Sequence, residues 1–379
     1  MATPIPFSSS QRSTLGVEWE LALVDKDSGD LRQVAQTILD AVSPDGSQHP
    51  HVRQELLLNT VEIVTGVCNT VAEAGEDLQR SIELLHTLAD PLRVELMCAG
   101  THPFARWNNQ KVTDKERYAT LIDRTQWWGR QMLIYGIHVH VGVEDRNKVL
   151  PISRALLSYL GHIQSLSASS PFWGGKDTAY ASNRALMFQQ LPTAGLPTNF
   201  DEWSELEQYV DDMVKVGVID EFNEIRWDVR PSPHYGTIEA RIADGASNLT
   251  EVLALAALTQ CLVEHFSTLL DEGKPLPRMQ PWFVQENKWR SARYGMDAIL
   301  ILDESGREDL VSDDLLRLLR ELEPTAARLG CETELDYVRV ILRKGASYQR
   351  QRAVARRNGG DLGQVVSHLV KEFREGKPL

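Results

Sequence analysis

The chain has 379 residues, 42% hydrophobic and 25% charged, the profile of a soluble globular protein long enough for one large domain or two ordinary ones. Its net charge of −13 argues against broad binding of nucleic acid or an anionic membrane, which needs a positive field, and leaves room for a local basic pocket. Cys68, Cys98, Cys261 and Cys331 are far apart with no C-x-x-C, so they fit neither a zinc site nor a disulfide framework, and a reducing cytoplasm is the expected location.

The first 13 residues are short and polar with two prolines. They lack a basic start and a long apolar core, so they read as a flexible tail rather than a signal peptide. A strand is expected over Leu15–Val24, closed by the turn signal Asp25–Asp30. In Gly16-Val17-Glu18-Trp19-Glu20-Leu21, side chains alternate between faces, which puts Glu18 and Glu20 together. Glu55 and Glu62 follow, seven residues apart in Gln54–Thr65. An unbroken strand would point them to opposite faces. A bulge, bend or turn, or two helical turns, would bring them to one site. Thr70 and Glu73 then have capping-box spacing at the head of a helix carrying Val71, Leu78, Ile82, Leu85 and Leu88 on one side.

A strand is expected over Arg93–Gly100, and Thr113-x-x-Glu116 reads as the start of a helix with Leu121, Ile122 and Trp128. The strand Gly136-Ile137-His138-Val139-His140-Val141-Gly142 puts two histidines on one face. Helices are expected near Leu150–Ser169, Asp201–Lys215 and Thr250–Leu270. The last is apolar nearly all round and so buried; its most apolar run, Val252–Val263, is too short to span a bilayer. The strand Thr237-Ile238-Glu239-Ala240-Arg241-Ile242 pairs Glu239 with Arg241 on one face. From Glu304 onward only helices are expected, near Ser312–Leu322, Thr325–Gly330 and Asp361–Phe373. Irregular alternation of strands and helices suggests an α+β fold with a largely antiparallel sheet.

A sheet face carrying carboxylates and imidazoles suits hard divalent cations, which take several oxygen ligands and tolerate imidazole. Arg226, Arg230 and Arg241 lie within a short stretch, and the arginine fork matches the oxygens of a transferring phosphoryl group. The small-residue loop Gly174–Arg184 offers Lys176 and Arg184 to a carboxylate substrate. It is not a P-loop, because Ser170 stands where the first glycine belongs. Arg293, in Trp289–Gly295, is a similar candidate. No serine or cysteine nucleophile motif is present. The competing readings are solvated glutamates, a structural histidine, a surface ion-pair cluster and an exposed loop.

The segments G-V-E-W-E-L from Gly16, Q-E-L-L-L-N-T-V-E-I-V-T from Gln54, G-I-H-V-H-V-G from Gly136, S-P-F-W-G-G-K-D-T-A-Y-A-S-N-R from Ser170, W-D-V-R-P-S from Trp227 and G-T-I-E-A-R-I-A-D from Gly236 resemble the type 2 glutamate–cysteine ligase family of carboxylate–amine ligases. The resemblance runs from Thr14 to the C-terminal helices. It implies a glutamine-synthetase-like α+β catalytic domain over 14–379, with a curved, mainly antiparallel sheet, helices on its convex side and a helical C-terminal part. It also implies ATP and Mg2+ or Mn2+ as cofactors, with Glu18, Glu20, Glu55, Glu62, His138 and Glu239 as metal ligands. Arg226, Arg230, Arg241 and Lys176 would bind the nucleotide. Arg241, Arg230 and His140 would act in catalysis, and Asp177, Ser182, Arg184 and Arg293 would contact substrate.

Alternation alone treats the two histidines alike; the resemblance gives His138 to metal and His140 to substrate or phosphate. The expected reaction activates a carboxylate, glutamate for this family, as an acyl phosphate that an amine such as cysteine then attacks. Nucleic acid and membrane are not expected partners, and a homodimer is left open. The family loop often reads D-T-G-Y where this chain has Asp177-Thr178-Ala179-Tyr180, so the loop is expected to differ slightly, because alanine takes a left-handed conformation less readily than glycine. Two other chemistries fit the same residues: a guanidino-kinase-like phosphotransferase and a metal-dependent amidohydrolase.

Overall fold

Alternating apolar residues build the central element of the computed structural model, which describes residues 3–379. Seven strands form one sheet: β1 (Leu15–Asp25), β2 (Val52–Gln54), β3 (Thr60–Val64), β4 (Val94–Met97), β5 (Ile137–Gly142), β6 (Val229–Ser232) and β7 (Thr237–Ala240). Their order is β6-β7-β5-β1-β3-β2, with every pairing antiparallel. Ala22 of β1 pairs with both Thr60 and Met97, so β4 lies along the edge of β1 that β5 leaves.

One face of this sheet is core. Val17, Trp19 and Leu21 of β1, Val61 and Ile63 of β3, and Ile137, Val139 and Val141 of β5 are all buried there. Helices Val71–Ala89, Arg146–Leu157, Leu249–Asp271 and Leu362–Glu375 contact the sheet strands, and the Trp19 ring meets Phe373 at 5.2 Å. The Leu249–Asp271 helix is long and apolar enough to cross a membrane by composition, but its most apolar window is 78% buried inside the protein. It is the central core helix. Helices cover one face, leaving the other for the charged alternate residues, as an α+β layer requires.

Several expectations are corrected. The 3–13 segment is docked, not free: Ile5 N donates to Glu207 Oε1 at 2.9 Å, Ser8 N to the Pro233 carbonyl at 2.9 Å, and Arg12 reaches Glu264 at 2.8 Å and Asp271 at 2.6 Å. Thr113 does not cap a helix. Its hydroxyl donates to the Glu55 carbonyl at 2.7 Å, and the helix starts at Glu116. The expected 150–169 helix is two, Arg146–Leu157 and Leu160–Ser167, and it begins early because Asp145 accepts from Asn147 N. The C-terminal part is not helices alone: Glu308–Leu310 pairs with Ile299–Ile301. The two pieces expected around 312–330 are one helix, Val311–Leu329, running through Pro324. Helices Pro281–Tyr294, Glu332–Lys344 and Ser347–Arg357 were not foreseen.

Candidate active site

Antiparallel register assembles the site. Glu18 of β1 faces His138 of β5, and Glu20 faces Glu62 of β3. Glu239 of β7 faces His140 of β5 on one side and Arg230 of β6 on the other. Directly opposed side chains in such pairs come within contact range. The odd spacing of Glu55 and Glu62 is resolved by a turn: Glu55 follows the end of β2, and the chain reverses into β3. That turn is clamped by the 111–113 segment, with Leu58 N donating to the Lys111 carbonyl and Thr113 N to the Leu56 carbonyl.

Two ligand groups result. Glu18, His138 and Glu239 each offer an atom within 4.8 Å of the others, and so do Glu20, Glu55 and Glu62. In the first group His138 Nδ1 is 2.9 Å from Glu18 and 4.0 Å from Glu239. His140 stands beside the same two carboxylates, with Nε2 at 3.7 Å from Glu18 and 3.8 Å from Glu239, while its Nδ1 meets Thr237 Oγ1 at 2.9 Å. Glu239 is fully buried between Arg230, whose Nε is 2.6 Å away, and Arg241.

The electrostatics of the two groups differ. Burial would push Glu18 and Glu239 up, but opposing charges win. His138 and His140 hold Glu18 well below the ordinary carboxylate value, and Arg241 and Arg230 do the same for Glu239. His138 is lowered to about 4 by burial and Arg241, whereas the carboxylates beside His140 raise it against burial. In the second group nearby arginines oppose burial and mutual repulsion but are outweighed. Burial and the neighbouring Glu55 charge raise Glu20 to about 7. Burial and the charges of Glu18, Glu55 and Glu20 raise Glu62 well above its ordinary value, and burial raises Glu55 too. Three half-buried or buried carboxylates that repel one another, with oxygen donors dominating both groups, fit hard divalent cations such as Mg2+ or Mn2+.

Both groups border a cavity of about 1320 Å³. Glu18, Glu20, Glu55, Glu62, His138, Arg184, Arg226 and Arg241 line it; His140, Arg230 and Glu239 stand immediately behind in the same ion-pair network. The guanidinium groups of Arg184 and Arg241 lie 5.5 Å and 5.9 Å from the Phe188 ring. Arg241 Nε is buried without a partner among the described residues, a donor turned toward no other group.

Four expected residues are not brought to this cavity. Lys176 and Asp177 are exposed on a two-residue strand, and Asp177 is taken by Arg352 at 2.7 Å. Arg293 turns to the Ala179 carbonyl and the Tyr180 ring. Ser182 is buried and donates to Asp244 Oδ1 at 2.8 Å. Ala179 does adopt the left-handed conformation, with φ 64°, so the loop keeps that turn despite the missing glycine.

Sequence reasoning missed Lys115, Arg117, Tyr118 and Arg53, which also line the cavity. Lys115 and Arg117 read as an ordinary solvated helix start. Asp244 was also missed, although it closes the G-T-I-E-A-R-I-A-D segment; it is fully buried and accepts from Ser169 N, Ser170 Oγ and Ser182 Oγ.

Comparison with known proteins matches residues 14–368 to the profile of glutamate–cysteine ligase family 2. The chain belongs to that family. Family membership makes it an ATP-dependent ligase. Among family members, it is 60% identical over 378 residues to a protein of Arthrobacter sp. (strain FB24) provisionally named glutamate–cysteine ligase 2-1, covering 98% of this chain and 99% of the relative. It is 56% identical over 372 residues to a protein of Mycobacterium tuberculosis (strain ATCC 25177 / H37Ra) provisionally named glutamate–cysteine ligase 2, covering 98% of each. Among solved structures, the glutamate–cysteine ligase of Francisella tularensis in complex with AMP superposes with a TM-score of 0.67 at 15% identity, covering 97% of this chain and 90% of that one. The bifunctional glutathione synthetase of Pasteurella multocida gives 0.68 at 15% identity, covering 96% of this chain and 52% of that one. The fold of this family member is therefore the α+β fold of these two solved ligases.

Proposed function

We propose that this ligase joins the γ-carboxylate of glutamate to an amine, with cysteine as one candidate, by way of an acyl phosphate. The observation that carries the reading is the pair of ligand groups on one sheet face, sharing a cavity with Arg241 and Arg226. Glu18, His138 and Glu239 would hold one divalent cation, and Glu20, Glu55 and Glu62 another. Bound there, such ions would neutralise charge on the phosphate oxygens. Arg241 and Arg226 would pair with the transferring phosphoryl group, whose developing charge fixed donors stabilise without reorganisation. Arg230 and Arg241 together fix Glu239 in its ionised form.

A carboxylate oxygen attacks the γ-phosphorus and ADP leaves. The amine nitrogen then attacks the acyl carbon, gives up a proton, and inorganic phosphate departs. Neither step needs a protein nucleophile, in keeping with the sequence. Membership of a ligase family favours amide formation over the guanidino-kinase and amidohydrolase alternatives. The test is a screen of amines with glutamate, ATP and Mg2+, reading ADP release and then product mass. ADP release only when carboxylate and amine are both present supports the reading; a phosphorylated amine, or hydrolysis without nucleotide, overturns it.

A further inference from the structure

Arg184 was expected to contact substrate, yet only 2% of it is exposed. It lines the cavity with little of its surface exposed. Nη1 donates to the carbonyls of Arg241 at 3.2 Å and Ile242 at 3.4 Å, which are the first two residues beyond β7. The guanidinium also packs flat on Gly136: a Cβ built there would lie 2.6 Å from Arg184 Cζ. Gly136 in turn donates its N–H to Glu20 Oε2 at 2.5 Å, and its carbonyl accepts from Glu20 N at 3.1 Å. One side chain thus braces the backbone that carries Arg241 and the glycine that seats Glu20.

Arg184 is itself held from behind. Ser170 Oγ accepts from Arg184 N at 3.1 Å and from Asn183 N at 2.8 Å, and donates to Asp244 Oδ2 at 2.6 Å. Ser182 Oγ donates to Asp244 Oδ1 at 2.8 Å. Asp244 is anchored by Ser169 N at 3.0 Å. The S-N-R portion of the loop is thus pinned by a buried carboxylate. The side chain is thus held rigidly, with Nη1 committed to backbone carbonyls and Nε buried without a partner among the described residues.

We propose that Arg184, fixed by Asp244 through Ser170 and Ser182, is a positioning residue that sets Glu20 and Arg241 for cation and phosphate binding. The inference rests on the reading of Glu20, Glu55 and Glu62 as a cation site. Groups that orient metal ligands from behind commonly change affinity about 10- to 100-fold when altered.

The test uses Mn2+ alone, with free Mn2+ followed by electron paramagnetic resonance in the absence of nucleotide, alongside steady-state kinetics. Two perturbations are compared: Arg184→Lys, which shortens the brace while keeping charge, and Gly136→Ala, which displaces the guanidinium without replacing any charged residue. Glu20→Gln serves as the reference for a lost ligand, and thermal melting confirms folding. Both variants should weaken Mn2+ binding about tenfold or more and lower kcat, with the KM for glutamate within about twofold of wild type. Should Gly136→Ala not fold, Ser170→Ala, which loosens Arg184 from behind, takes its place with the same expectation. Unchanged Mn2+ binding, with or without a raised glutamate KM, would overturn the positioning role. Failure of the wild-type chain to bind Mn2+, or of Glu20→Gln to weaken it, would instead bring down the cation-site reading and this inference with it.

Discussion

Replacing Glu20 with glutamine should stabilise the cation-free protein while destroying its activity. Burial and the Glu55 charge raise Glu20 from its ordinary 4.5 to about 7. Between those values the folded chain keeps a proton that the unfolded chain has lost, so raising the pH through that window weakens folding. At about 1.4 kcal/mol per pH unit, the penalty reaches roughly 3 kcal/mol above pH 7 and is below about 1 kcal/mol at pH 5. Glutamine removes the titration and keeps an oxygen for the Gly136 N–H that Glu20 now accepts at 2.5 Å. For a chain of this size, about 3 kcal/mol corresponds to a melting-point gain of about 4 °C. Thermal denaturation in EDTA at pH 8 and pH 5 measures it. The gain should be present at pH 8, shrink at pH 5, and reverse at pH 8 when Mg2+ is added, because only the wild type gains from binding the ion. A variant that melts below wild type at pH 8 in EDTA would show that Glu20 is compensated, not repelled, and would refute the reasoning.

Arg241→Lys keeps one charge and loses the fork, so kcat/KM for ATP should fall about 10- to 100-fold with little loss of folded protein by circular dichroism; unchanged ATP kinetics would remove Arg241 from the phosphate site. His138→Ala should raise the Mn2+ concentration needed for half-maximal rate, and His140→Ala should instead alter substrate KM or kcat. A metal titration showing the reverse pattern would exchange their roles. Ala179→Gly relieves an alanine held at φ 64° and should add about 0.5–1 kcal/mol in urea denaturation; a destabilised variant would mean the left-handed turn is not populated in solution.

The carboxylate face was legible because strand periodicity is simple. Glu18 with Glu20, His138 with His140 and Glu239 with Arg241 share faces in any unbroken strand. What the periodicity could not supply was register, which decides that Glu20 meets Glu62 and Glu18 meets His138. Glu55 was ambiguous for the same reason, since only the turn after β2 brings it round. The Gly174–Arg184 loop misled because its charges find partners far along the chain, Asp177 in Arg352 and the Ala179 carbonyl in Arg293. The Pro281–Tyr294 helix was hidden by an inverted pattern. It exposes Trp282 and Trp289 and buries Asn287, Lys288 and Ser291, with Lys288 paired to buried Asp228 at 2.6 Å. A polar core face of that kind carries no hydrophobic period to read.

The central claim is that phosphate is transferred to the carboxylate before the amide forms, and isotope transfer tests it most directly. Glutamate carrying 18O in its γ-carboxylate is turned over with ATP, Mg2+ and an amine identified in the screen, and the released phosphate is analysed by mass spectrometry. Passage through an acyl phosphate moves one 18O from carboxylate to inorganic phosphate for each amide formed, with ADP as the nucleotide product. Phosphate free of 18O, or release of AMP and pyrophosphate, would contradict the account.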